Sequence, residues 1–275
     1  MEKKSANDNL KEIVADPKKT EESIKYNIKR ESFSKFLTVL SIIQDHCTDC
    51  DISQGVVRQK SNDRRTFFEF DLSKEIGELS LSLTLVKRKI FLLKSFEVDP
   101  FLLPENTSTD VIFEKTSSNY VFSDVFSSIR FRIPNRKYLD NTYVNREEFE
   151  NLLKLKEENL LLSTTIPNYL SKRIKNITSG FENEIIIFNM NEYKANLCAE
   201  TVSKDDTSIL IQGIELNSSV NKCQCRFLSL PFTIDITTDI TCNIYKMSDT
   251  IFAAEFKMNY LGVPIGIYSY TEVSK

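Results

Sequence analysis

Histidine is nearly absent, with one residue, His46, in 275. Triad chemistry of the Ser-His-Asp kind would rest on that residue alone, and no G-x-S-x-G turn between strand and helix accompanies it. Glycine-rich phosphate loops are missing as well. These gaps leave no credible catalytic centre, and no enzyme is expected. Six glycines and seven prolines provide little material for loose linkers, so regular elements should dominate. No apolar run approaches the ~20 residues that a bilayer-spanning helix needs, and the first residues lack the apolar segment of a secretory signal. The expectation is a cytoplasmic or nuclear protein (the host cell interior if viral), not secreted, without a membrane partner and with reduced cysteines. A net charge of −3 and a pI near 5.5 exclude a uniformly basic nucleic-acid coat, though not a local basic patch.

What is present is the composition of a soluble globular chain, 41% hydrophobic and 27% charged, and long enough for two domains. Residues 1–25 alternate charges of both signs with few apolar side chains, and read as a disordered tail. From there the order is strand, helix, strands, repeated. Residues 26–30 read as a strand. Phe33, Phe36, Leu37, Leu40 and Ile43 then fall on one face at the helical period, with Ser32 or Ser34 as N-cap. Residues 50–58 and 66–72 read as strands around a polar turn at 61–63. Leu79, Leu81, Leu83 and Leu85 alternate as in a half-buried strand, and 85–96 reads as a second helix capped by Thr84. Strands are expected at 111–115, 120–122 and 128–133.

The texture changes at residues 135–159, which are polar and charged and read as a connector between a domain at 26–134 and another at 160–275. The second half repeats the order. Residues 160–166 read as a strand, 166–179 as a helix with Pro167 in its first turn, and 184–190, 194–199 and 209–216 as strands. A short helix begins near Pro231, and 241–246, 251–259 and 263–270 finish the sheet.

Four β-α-β-β-β units in two domains resemble the plan of DNA sliding clamps. "SKFLTVL" at 34–40, "CDISQGVVRQKSND" at 50–63 and "FFEFDL" at 67–72 are similar to the opening helix and strands of the family of proliferating cell nuclear antigen (PCNA) and the clamps of T-even phages. "SLTLVKRKIFLLKSF" at 82–96 resembles the second helix, "IRFRIPN" at 129–135 the end of the first domain, and "GVPIGIYSYTEV" at 262–273 the closing strand. The resemblance implies an α+β, two-domain DNA-clamp fold, with strands outside and helices lining a ring of subunits. It implies a homotrimer around double-stranded DNA that tethers a DNA polymerase and is placed by a clamp loader, with no cofactor. The alternative is a clamp-fold transcription-accessory or interaction protein that does not encircle DNA.

Two residue sets follow from the resemblance. Lys35, Lys87, Arg88, Lys89, Lys94, Lys172, Arg173 and Lys175 sit on three of the four helix segments of an acidic chain, and would meet phosphates without reading sequence. The final helix carries no lysine. Tyr138, Leu139, Tyr143 and Val144 in the connector, with Tyr268 and Tyr270 near the end, would form a pocket for a partner's peptide. Cys47 and Cys50 form a C-x-x-C, and Cys223 and Cys225 a closer pair, but the second spacing is too short for a zinc knuckle, so no metal is expected. Asp45, Asp49 and Asp51 crowd one turn, the ordinary reading of which is solvated acids.

Overall fold

A computed structural model describes residues 24–97, 110–116, 118–124, 129–134, 157–178, 185–200, 209–228, 230–234 and 237–272. The order opens with β1 (Ile24–Ile28), α1 (Arg30–Ile43), β2 (Cys50–Ser53), β3 (Val56–Lys60) and β4 (Thr66–Asp71). A one-turn helix α2 (Ser73–Ile76) precedes β5 (Leu81–Leu83), α3 (Val86–Leu93), β6 (Val111–Lys115), β7 (Asn119–Asp124) and β8 (Arg130–Pro134). The second half runs β9 (Leu160–Ile166), α4 (Asn168–Thr178), β10 (Ile185–Glu200), β11 (Ile209–Leu228), α5 (Leu230–Thr233), β12 (Ile240–Lys246), β13 (Ile251–Tyr260) and β14 (Val263–Glu272). The expected tail at 1–25 lies almost wholly outside the described residues, and the connector at 135–159 largely so.

Apolar stripes bury the helices. Phe33, Phe36, Leu37, Leu40 and Ile43 of α1 are buried, as the period requires, and so are Leu170 and Ile174 of α4. They join one cluster with the inward residues of the sheets, including Phe68, Phe70, Phe113, Phe122, Phe188, Phe256 and Ile267. Complete burial of a side chain of this size stabilises by roughly 1.5–3 kcal/mol.

Three sheets result among the described residues. One has the order β1-β6-β7-β8, a second is the β10-β11 ribbon, and the third has eight strands, β5-β2-β3-β4-β14-β13-β12-β9. Its middle joint unites the two halves, with β4 and β14 antiparallel from Ile265 opposite Phe70 to Ser269 opposite Thr66.

The first two units have the expected strand-helix-three-strand order; the third stops at β11 and the fourth lacks an opening strand among the described residues. Other expectations are corrected in detail. Residues 50–58 are not one strand. Gln54 (φ 49°) and Gly55 (φ 76°) turn β2 back into β3 as a two-residue hairpin. A Cβ at Gly55 would lie 2.2 Å from the Gly77 carbonyl oxygen, so only glycine fits there. Leu85 does not continue the strand alternation: it is exposed at φ 52° and stands where Thr84 was expected to cap. The amides at the start of α3 are met from the loop between α1 and β2 instead, Leu85 N–H by Asp49 Oδ1 (3.0 Å) and Val86 N–H by the Thr48 carbonyl (2.8 Å). No serine caps α1, which begins at Arg30.

In the second half, 184–190 and 194–199 are one strand, β10, and 209–216 and 226–228 belong to another, β11. The polar break between the two β10 segments is absorbed as a bulge, with Glu192 at φ 53° and register shifts on both sides of it. Glu192 faces Val220 and Lys194 faces Glu215, so Tyr193 alone answers to residues 216–219.

Candidate nucleic-acid interface

The eight helix cations have different surroundings. Lys35 on α1 is held by Glu31 (3.0 Å) and Glu75 (3.7 Å), and the hydrogen bond to Glu31 is the main cause of its raised pKa. The outward positions of α1 are otherwise Arg30, Glu31, Ser32, Ser34, Thr38 and Ser41, followed by Asp45. Ser34 donates to Glu97 (2.8 Å), adding another carboxylate. Beyond Arg30 in its first turn, this helix presents no unpaired cation among the described residues, contrary to what a uniformly basic surface would need.

Helix α3 differs. Val86, Ile90 and Leu93 are buried, which leaves Lys87, Arg88 and Phe91 exposed on the opposite side, with Lys94 just beyond the helix. Lys87 reaches back to Asp45 (2.6 Å) but is still 71% exposed, so the pair is weak. Lys89 points elsewhere, its ammonium 5.5 Å from the centre of the Phe131 ring on β8. Helix α4 repeats the α3 pattern: Leu170, Ser171 and Ile174 are buried, and Tyr169, Lys172, Arg173 and Asn176 are exposed. Lys175 is half-buried and engaged. The geometry thus brings Lys87, Arg88 and Lys94 to one basic face, and Lys172 and Arg173 to another. Phe91 and Tyr169 were missed from the sequence. The signal was there in their spacing, three or four residues from the Lys-Arg pairs.

The proposed peptide pocket is described only in part. Tyr138, Leu139, Tyr143 and Val144 lie outside the described residues. Tyr268 is buried, its ring lying across Gly266, where an added Cβ would come 2.9 Å from it. Its hydroxyl is hydrogen-bonded to Glu255, a buried carboxylate that also accepts from Asn243 (2.7 Å) and Tyr245 (3.1 Å) and pairs with Lys257 (2.7 Å). Burial first, and the Glu255 charge second, push both tyrosine phenols up. Tyr270 is half-buried, edge-on to Phe67 at 5.9 Å, and burial raises its phenol to about 12. Tyr268 is thus a structural member of the β4–β14 joint, and Tyr270 is the more accessible of the two.

Cys47, Cys50, Cys225 and Cys242 are core residues, and Cys223 is half-buried. Burial raises the Cys47 thiol to about 12 and raises the Cys50 thiol as well. Burial likewise raises Cys225 and Cys242. Among the described residues, no three His, Cys, Asp or Glu side chains converge as a metal site would require. Asp45 and Asp49 serve instead as partners of Lys87 and the Leu85 amide. No helix among the described residues is long and apolar enough to cross a membrane.

No family model matches the sequence, and no curated protein matches it. Solved structures do match in three dimensions. Proliferating cellular nuclear antigen from Entamoeba histolytica superposes with a TM-score of 0.56 at 11% identity, covering 90% of this chain and 98% of that one. PCNA from Thermococcus kodakaraensis gives 0.53 at 10% identity, covering 91% and 99%. The chain has the α+β fold of the PCNA sliding clamps over nearly its full length.

Proposed function

We propose that the chain is a subunit of a DNA sliding clamp, encircling duplex DNA and tethering a polymerase as a processivity factor. The observation that carries the reading is the β4–β14 joint. Strand β4 ends the first unit and β14 ends the second half, and they pair within the chain. Their counterparts are β11, which ends the third unit, and β8, which ends the first half. Among the described residues both are edge strands. An edge left open invites another chain. Pairing β8 of one copy with β11 of the next would repeat the internal joint between molecules, head to tail, and would close a ring when the rotation permits. Strands β6 and β7 have no open edge, because each has two neighbours.

Arg88, Lys94, Lys172 and Arg173 would meet phosphates in the hole, joined by Lys87 once freed from Asp45. Lys35, Lys89 and Lys175 are assigned less to DNA, since each is already engaged. Partner peptides of polymerase and clamp loader would dock beside Tyr270 with Tyr138, Leu139, Tyr143 and Val144. The reading of a clamp-fold interaction protein that does not encircle DNA draws on one observation, the outward side of α1, which beyond Arg30 carries only acidic, uncharged or paired side chains. Retention on circular but not linearised DNA, together with the mass in solution, separates the two. A trimer retained only on circles is the expected result; a monomer at tens of micromolar that leaves both DNAs equally sinks the clamp.

A further inference from the structure

Two of the most exposed large hydrophobic side chains among the described residues are Phe91 (76% exposed) and Tyr169 (65%). They lie on different helices in different halves, yet their surroundings match. Phe91 is followed at three residues by Lys94 and preceded at three and four by Arg88 and Lys87. Tyr169 is followed at three and four residues by Lys172 and Arg173. Residues three and four apart share a helix face, so each ring stands among two or three cations. Neither ring packs on another ring among the described residues, whereas the core aromatics do so repeatedly, as Phe33 does with Phe36, Phe96 and Phe122.

A duplex offers such rings little, because its bases are stacked inward. Unpaired bases offer a π-face to an aromatic ring and a phosphate to the neighbouring cation, with little regard for sequence. We propose that the Phe91 face of α3 and the Tyr169 face of α4 are stacking platforms for single-stranded DNA. This rests on the nucleic-acid reading above and narrows its substrate to DNA carrying an unpaired stretch, such as a primer–template junction. A lipid surface fits less well. The apolar stripes of both helices (Val86, Ile90 and Leu93; Leu170 and Ile174) are buried in the core, leaving one ring apiece where an interfacial helix needs a broad apolar face.

The chain has no tryptophan, so Phe91→Trp and Tyr169→Trp each install a single indole reporter on the full-length protein. The probes are oligo(dT), a blunt duplex of equal length, inorganic polyphosphate and phosphatidylglycerol vesicles. Expected is quenching of both indoles by oligo(dT) and not by the other three. Phe91→Ala and Tyr169→Ala should each weaken oligo(dT) binding about tenfold or more, with duplex binding unchanged. Phe91→Leu, which keeps apolar bulk without a π-face, should be as weak as the alanine variant. Equal quenching by polyphosphate, a response to vesicles instead of oligo(dT), or oligo(dT) affinity unchanged in both alanine variants overturns the stacking platforms. Loss of retention on circles with intact oligo(dT) quenching overturns the clamp and leaves the platforms standing.

Discussion

The β2–β5 sheet and the β10–β11 ribbon fold the same kind of sequence under different constraints. In the first, the short strands β2, β3 and β4 have a partner on each side, β5 forms the edge, and the row continues into β14. Its turns are tight: Gly55 N–H donates to the Leu79 carbonyl and Leu72 N–H to the Gly55 carbonyl, both at 2.9 Å. In the second, strands of 16 and 20 residues pair only with one another. The ribbon tolerates a four-against-one mismatch at Tyr193 that a sheet with neighbours on both sides would have to propagate. Register is therefore kept along β2–β4 and slack in the ribbon. That slack is the property an edge requires if it must adapt to another molecule.

Alkali should break the comparison most thoroughly, because both regions bury thiols against one shared core. Cys47, whose ordinary pKa is 9.0, is raised to about 12, and burial raises Cys50 in the same direction. The folded protein holds these protons more tightly than the unfolded chain, so their stabilisation is complete below pH 9 and lost as pH rises through about 12. Cys225 and Cys242 act in the same direction beneath the second half. Urea titrations from pH 8 upward should show an unfolding free energy that is level to about pH 9 and then falls, by a total on the order of several kcal/mol. Two separate unfolding transitions, one for each half, would deny the shared core.

A glycine pair sharpens the contrast at the level of the backbone. Gly55→Ala puts a Cβ against the Gly77 carbonyl oxygen at a left-handed residue, and should cost about 3 kcal/mol or more in thermal or urea unfolding. Gly213→Ala in the ribbon meets only Asn196 Oδ1 at 3.7 Å, and should change stability by less than about 0.5 kcal/mol. Similar losses at both sites would mean that the ribbon is as constrained as the sheet.

Charge pairs give the smallest differences. Arg58 and Glu69 pair across β3 and β4 at 2.7 Å with the arginine largely covered, and Arg58→Ala should cost about 1 kcal/mol. Lys87→Ala, at an exposed pair, should cost about 0–0.5 kcal/mol, yet lower the salt slope of DNA binding by about 0.9 if its phosphate contact is made. A stability loss at Lys87 equal to that at Arg58 would show that its bond to Asp45 is structural and not a resting place.

The elements most legible in the sequence were the α1 and α4 stripes, fixed by side-chain period alone, and the β12–β14 strands, which lie within two residues of their expected bounds. Local reading failed where a distant group decides. The Gln54-Gly55 turn has no Asn-Gly signature; it is held by Leu79 and by the Ser80 hydroxyl, which accepts from Gln54 N–H at 2.9 Å. Helix α2 is one turn long and has no period to find; Asp71 secures its start by accepting from the Ser73 amide and hydroxyl. The site behaved likewise. Which residues are cationic was plain, but Lys35 is paired with Glu75 and Lys87 with Asp45, each about forty positions away, and spacing cannot reveal that. Burial of Tyr268 depends on Glu255 from the neighbouring strand, met only through the register of β13 and β14.

The place of β14 also sets a clock on synthesis. The strand that seals β4 is the last described element of the chain. About 200 residues separate the end of β4 from the end of β14, so a ribosome adding 5–20 residues per second leaves that seam open for roughly 10–40 s. During that interval Phe67, Phe68 and Phe70 line a strand with one side unpaired. Each nascent chain offers neighbouring polysomal copies the same surface that its own β14 will later occupy. The pressure on this protein is therefore greatest before β14 is made, and a ribosome stalled within that strand would yield a product whose two halves never join.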